Sequence, residues 1–450
     1  MNPELERNVW LELTPRRLLV MTMVLALAFF AAAVTAGTGG PAETARWAYY
    51  IIVVIWGSRN AARSVVGEIR DHTWDTQRLS SLPAGTMMWG KLFGATSYNW
   101  FGGVLCLAVI LASLIGHSGV LVAIIELVYY LSIGMIAQSV ALLASLMAAG
   151  RRQGHSQFEV FLYQGAGMVA AIAVYAIWSV ADPAGSILLH HAPTDFIVWW
   201  GRSLDARGFL LISLALFAAW TLTACYREMR IELQMRNGPL VWLAFLLFIG
   251  VYVAGFDAWL SGYPYLTDLD AVARRLLLAG SALAALSYVM VFLEPKNRVQ
   301  YRWLAGRFGA FELGTGLSRL QSWMMSYLAA VALGVVLVAW LGLNRQLGGQ
   351  GAVGAMLGFF TRDMAIVVLA GTLSRRRTGD FAAAAILFML YVLLPAIIGG
   401  LNYGAGTLLF FPRISDPVWL SPTVAWAEAA VAWAMTISSI ALPERQPAAT

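Results

Sequence analysis

The sequence predicts an all-α membrane protein with about twelve transmembrane helices in two pseudo-repeated six-helix halves. Three observations predict it. First, hydrophobic residues make up 60% of the 450 residues, charged residues only 12%, and the mean hydropathy is +0.70. A soluble domain carries roughly 25% charge. Second, apolar runs of about 20 residues, the length that crosses a bilayer, recur from end to end. Third, Lys and Arg gather in alternate short connections, as the positive-inside bias demands.

Each run can be read in turn. The first half holds Leu18–Ala36, Trp47–Ser64, Ser97–Ile115, Val120–Met147, Phe161–Val180 and Phe209–Tyr226. The second holds Val241–Gly255, a short run, then Leu276–Leu293, Met324–Leu341, Val353–Leu373, Phe381–Leu401 and Val424–Ala441. With the N-terminus inside, about 22 of the basic residues fall in inner segments and about 7 in outer ones, leaving Arg362 within a span. That asymmetry places both termini in the cytoplasm of a multi-pass inner or plasma-membrane protein. No cleavable signal is expected, because the charged opening "MNPELERNVWLELTPRR" leads into a full-length span.

The halves, 1–237 and 238–450, are marked by echoes displaced by about 220 residues. Arg151-Arg152-Gln-Gly answers Arg375-Arg376-Arg377-Thr-Gly, and Pro15 answers Pro239. "PTDFIVWW" from Pro193 answers "PRISDPVWL" from Pro412.

Composition excludes several classes of function. The net charge of +6 sits in topology-setting loops and calls for no nucleic-acid partner. Cys106 and Cys225, both inside apolar runs, read as packing residues rather than metal ligands. The loops are too short for a catalytic domain and assemble no nucleophile, base and orienter. His190, His191 and Asp195 raise a metal reading, but adjacent histidines lack chelating spacing on a helix. An interfacial helix anchored by Trp199 and Trp200 explains that outer segment better, and no metal is expected.

The most informative stretch is "VVGEIRDHTWDTQRLSSLPAGTMMWGKLFG" from Val65. Inside it, Gly85-x-x-x-x-Gly90-Lys91 resembles a phosphate-binding loop, but Leu92 stands where a Ser or Thr must hold the metal. No strand precedes it. The pattern reads instead as a helix leaving the membrane with Arg59, Arg63, Glu68 and Arg70, then a break. A short amphipathic helix follows, capped by Ser81 with Pro83 in its first turn. Met87, Met88 and Trp89 are expected at its surface, and Lys91 marks the return to the membrane.

In order, Gly67-Glu68, Thr73-Trp74-Asp75, Leu79 through Pro83 and Gly90-Lys91-Leu92 resemble the second-span to third-span region of ABC-2 type transporter permeases. The opening, with Asn2-Pro3 and Glu6-Arg7, is similar to that family's elbow helix. The resemblance covers residues 1 to 237 and is weak beyond, where "EPKNRVQYRWLAGRFGAFELGTGLSRLQSW" takes the equivalent place without the motif. It implies the permease of an ATP-driven exporter that is not itself an ATPase. Two ABC ATPase subunits, binding ATP and Mg, would press on a coupling helix carrying Glu68, Arg70, Pro83, Met87, Met88, Trp89 and Lys91. The outer segment would form a gate, and the substrate would be a small molecule, lipid or peptide.

Polar groups within spans are the other candidates, for a substrate pathway or for buried pairing: Asn99, Glu126, Gln138, Arg362, Asp363 and Glu428. They also keep two alternatives open. One is a secondary transporter using Glu126 or Asp363, and the other is a membrane assembly subunit without transport.

Overall fold

A computed structural model describes residues 2–80, 82–149, 157–179, 195–235, 237–261, 269–310, 314, 316, 319–373, 378–401, 410–412 and 417–441. The architecture is helical, apart from one two-stranded hairpin among the described residues. Ten of these helices are long and apolar enough to cross a membrane. They are Pro15–Ala36, Ala84–Ser118, Val120–Ala149, Glu159–Ser179, Ala206–Glu232, Ala271–Leu293, Ser322–Leu343, Leu347–Leu373, Gly379–Ile398 and Leu420–Ala441.

The second and seventh expected spans are not among the ten, for different reasons. The second lies in a helix through Gly40–Tyr49, Tyr50–Trp56 and Gly57–Arg70 whose later half carries Arg59, Asn60 and Arg63. These lower its hydropathy, and its Ala61, Ala62, Val65 and Val66 are buried against neighbouring helices instead. The seventh, Leu240–Ala254, has 15 residues. At 1.5 Å per residue it spans only about 22 Å of a core about 30 Å thick.

That short helix ends where a tryptophan pair meets it. Strands β1 (Phe196–Trp199) and β2 (Arg202–Asp205) form the hairpin. Its two-residue turn puts Trp200 at φ 52° and Gly201 at φ 72°, the positive pair a type I′ turn requires. The interfacial helix expected around Trp199 and Trp200 is therefore corrected to a hairpin. The alternation of exposed Phe196 and Val198 with half-buried Ile197 and Trp199 is the sequence's period-two signal for it. Trp199 donates its indole N–H to the Tyr252 carbonyl (3.0 Å), and Trp200 donates to Val251 (3.3 Å). The Trp200 amide donates to Gly255 (2.7 Å). The Tyr252 and Gly255 carbonyls at the helix end thus gain donors, and Val251, which already accepts the Gly255 amide, gains a second. A Cβ on Gly255 would lie 2.1 Å from the Trp199 indole nitrogen. Gly255→Ala is expected to displace the indole and cost about 1–3 kcal/mol, read as lowered thermal stability with altered tryptophan fluorescence. Unchanged melting would contradict the cap. The segment holding His190 and His191 lies outside the described residues, as do Ser81, Arg151-Arg152 and Arg375-Arg376-Arg377.

The chain divides into two compact units. One comprises Met1–Ile197 and Ser203–Asn237, and the other Val198–Arg202 and Gly238–Thr450. In the first, helix α1 (Pro3–Glu12), capped by the Asn2 side chain, precedes Pro15–Ala36. Helix Gly57–Arg70 packs on Val120–Ala149, and so does Ala206–Glu232. Cys106 and Cys225 are buried and unbridged, and Cys225 donates to the Ser139 carbonyl.

In the second unit, Leu347–Leu373 and Leu420–Ala441 run parallel. Gly351 lies against Val418, Gly358 against Ala425, the Thr361 carbonyl against Trp433, and Thr372 against Ser439. A Cβ on Gly358 would approach Ala425 Cβ at 2.7 Å, so small residues set the close helix contact. Beyond Leu293, Glu294 accepts the amides of Ser322 and Trp323 at the head of the next helix. Burial there raises its carboxyl above the usual range, against the pull of those bonds.

Candidate functional site

The stretch from Gly57 to Gly94 builds a junction around one lysine. Helix Gly57–Arg70 ends at Asp71, with His72 in a positive-φ conformation turning the chain. Trp74–Arg78 forms a single turn, closed by Ser80 bonding back to Gln77. Pro83 (φ −62°, ψ 145°) occupies the position just before the short helix Ala84–Trp89 rather than its first turn. Gly90–Gly94 continues as a π-helical turn into Ala95–Ser118.

Lys91 is 1% exposed. Its ammonium binds Glu68, lies 3.6 Å from Glu4 of α1, and sits 5.2 Å from the centre of the Trp74 ring. Glu68 also accepts from Gln77 (2.5 Å) and from Arg7 (3.3 Å), and Arg7 pairs with Glu4 (2.9 Å). Asn2 donates to the Thr86 carbonyl and Asn8 to that of Gly90. Gly90 and Gly94 make room for this crossing, since a Cβ on either would lie within 2.7 Å of Glu4 or Asn8. The glycines and lysine that resembled a phosphate loop thus form a helix-packing face. The stretch is helical, and the lysine is held by carboxylates of its own chain.

The expected coupling residues divide. Met87 (1% exposed) and Met88 (3%) are not at the surface as anticipated. They are buried with Ala61, Val65, Trp74, Leu142, Leu146, Cys225 and Met229, because the apolar side of so short a helix finds more area in that core than outside. Trp89 remains 39% exposed, with Leu79 and Pro83 also exposed. Arg70 lies away from the cluster, beside Asp71 (3.3 Å). Arg78 donates to the Glu232 carbonyl (2.8 Å). Trp74 stands in the Thr73-Trp74-Asp75 step of the resembled motif, and Glu4 lies at helical spacing from Asn8 in the elbow, whereas Gln77 carries no sequence signal.

The intramembrane polar groups also separate. The π-helical turn Tyr50–Trp56 shifts backbone pairing. Asn99 donates to Ile52 (2.9 Å), Gln138 to Val53 (3.0 Å) and Gln164 to Ile55 (3.0 Å). Asn99 accepts from Asn60, and Gln138 from Trp100. These amides fasten the helix from its carbonyl side, at Ile52 beside the bond already made by the Gly57 amide. Glu126 is half-buried, near the Val120 end of its helix.

Arg362, Asp363 and Glu428 come together in the second unit. Arg362 donates from Nε (3.1 Å) and Nη2 (3.0 Å) to Asp363 Oδ1, and from Nη1 to Glu428 Oε2 (2.6 Å). Tyr288 (2.8 Å) and Tyr391 (2.7 Å) donate to Asp363 Oδ2. The guanidinium also lies over the Phe359 and Tyr391 rings. The tyrosines were not singled out in the sequence. A signal existed for one. Pro395 follows Tyr391 by four residues, its ring crowds that carbonyl, and Met389–Leu393 is π-helical. Among the described residues, no three His, Cys, Asp or Glu side chains group as metal ligands.

Compared with protein-family models, with curated proteins and with solved structures, the chain matches none.

Proposed function

We propose that the chain is the membrane permease of an ATP-driven exporter of the ABC-2 kind. It would reside in the inner or plasma membrane with both termini cytoplasmic. Two ATPase subunits would hold ATP and Mg, and the chain itself would carry no ATPase activity. The observation that carries this reading is the two-sided junction. Its inner side ties α1, Glu68 and the start of Ala95–Ser118 together through Lys91. Its outer side leaves Leu79, Pro83 and Trp89 exposed. A push on that outer side moves three helices together, which is what a coupling helix needs.

The test is co-expression with an ABC ATPase subunit encoded nearby. The ATPase is expected to co-purify and to be stimulated. Trp89→Ala should weaken the stimulation about tenfold or more, since aromatic anchors often carry 2 kcal/mol. Full stimulation in a chain lacking Pro83–Trp89 would overturn the proposal. The Arg362–Asp363–Glu428 group favours one second reading, a secondary transporter. Under it, transport persists without any ATPase and stops when the proton gradient is collapsed.

A further inference from the structure

The connection between the spans Ala271–Leu293 and Ser322–Leu343 carries five basic residues, Lys296, Arg298, Arg302, Arg307 and Arg319, against two acidic ones, Glu294 and Glu312. Its first residues are tied to the ends of spans. Glu294 accepts the Ser322 and Trp323 amides, and Gln321 donates to the Pro295 carbonyl (2.8 Å). Lys296 binds Asp380, at the head of Gly379–Ile398. Helix Arg298–Gly309 follows at once and packs against Leu420–Ala441. These ties start the helix at the ends of three spans, the depth at which lipid headgroups lie.

Glu294 and Lys296 are thus engaged by the spans, and the arginines are left over. Arg298, Arg302 and Arg319 meet no carboxylate among the described residues, and Arg298 Nε is buried without a hydrogen-bond partner. Tyr301 and Leu304 turn inward, whereas Arg302 is exposed one turn on from Arg298. Arg307 and Arg319 lie 5.4 Å and 4.7 Å from the centre of the same Trp303 ring, one from the helix itself and one from the returning chain. The positive-inside bias accounts for basic residues here, but not for two of them meeting on one indole. Cations gathered in one place are stabilised by a shared anion. Guanidinium takes phosphate through paired N–H donors, and tryptophan favours the headgroup level. Val299, 59% exposed on the same helix, adds apolar contact for the acyl boundary. Clusters of about four to eight basic side chains beside a span are the pattern that takes anionic headgroups. An acyl chain holds its phosphate at this depth, which favours a phospholipid over free phosphate.

We propose that Arg298, Arg302, Arg307 and Arg319, gathered around Trp303, bind the phosphodiester headgroup of an anionic phospholipid. The proposal goes beyond the coupling reading and does not depend on it, because its deciding measurement needs no ATPase. The full chain is purified in a neutral detergent and titrated with phosphatidylglycerol or phosphatidylcholine, and native mass spectrometry counts the lipids that stay bound. At equal lipid concentration, phosphatidylglycerol is expected to be retained about tenfold or more over phosphatidylcholine. Arg298→Gln with Arg302→Gln and Arg319→Gln should abolish that preference. Arg16→Gln with Arg59→Gln and Arg63→Gln, which removes the same charge from exposed positions elsewhere, should keep it. Excess inorganic phosphate should leave the lipid in place. Equal retention of both lipids by the wild-type chain, loss of the preference in both triple variants alike, or displacement by inorganic phosphate would each overturn the proposal. So would an intact lipid preference with lost ATPase stimulation in the first variant, which would assign this face to the ATPase. Where that variant fails to fold, Arg302→Gln with Arg319→Gln, both at exposed positions, should still lower the preference about threefold or more, and no change would count against the site.

Discussion

Replacing Lys91 by alanine is expected to destabilise the first unit by about 3–5 kcal/mol. The lysine is buried between Glu68, Glu4 and the Trp74 ring, so its removal leaves two acidic groups facing each other without their cation. Arg7 cannot replace it, since it is half-exposed and already spans Glu4 and Glu68 from outside. Thermal unfolding of the purified chain, read by tryptophan fluorescence, measures the loss. Lys91→Met combined with Glu68→Gln should recover part of it, because that pair removes a positive and a negative charge together. A single substitution with wild-type melting would show that the lysine is not the fastening point.

Asp363→Leu is expected to be comparably severe, at about 3–5 kcal/mol. It strips an acceptor from Arg362, Tyr288 and Tyr391 at once, while the bond from Arg362 to Glu428 stays. The double variant Arg362→Met with Asp363→Leu should be more stable than the sum of the two singles, because the Arg362–Asp363 pair is removed together, and both variants lacking Arg362 lose the Glu428 bond alike. A double-mutant cycle on thermal unfolding gives the coupling, and strict additivity would deny the pairing.

The helical membrane class was legible because hydropathy reports directly on transfer from water and needs no tertiary contacts. Ten of the expected runs correspond to helices of spanning length and hydropathy. Hydropathy could not place the second run, where Arg59, Asn60 and Arg63 accompany buried alanines and valines in one helix. Nor could it show that Met87 and Met88 turn inward, since a six-residue helix has too few turns to fix its apolar side. In the second unit Arg362 and Asp363 were visible as neighbours and Glu428 alone. The meeting with Glu428 depends on two helices that lie far apart in sequence and run parallel. Tyr288 and Tyr391 were hidden for a related reason, because a tyrosine in a span reads as apolar until a carboxylate is placed beside it.

The tryptophan turn has a further consequence, for the order in which the chain is made. A helix of 15 residues falls roughly 8 Å short of the hydrocarbon thickness. Left alone, its Tyr252 carbonyl would lack the indole donor that Trp199 brings. Trp199 and Trp200 precede Leu240 in the chain, so a ribosome delivers the donors before the acceptors they serve. The finishing piece is waiting when the unfinished helix emerges, and a segment too short to span on its own is never the first of the two to exist.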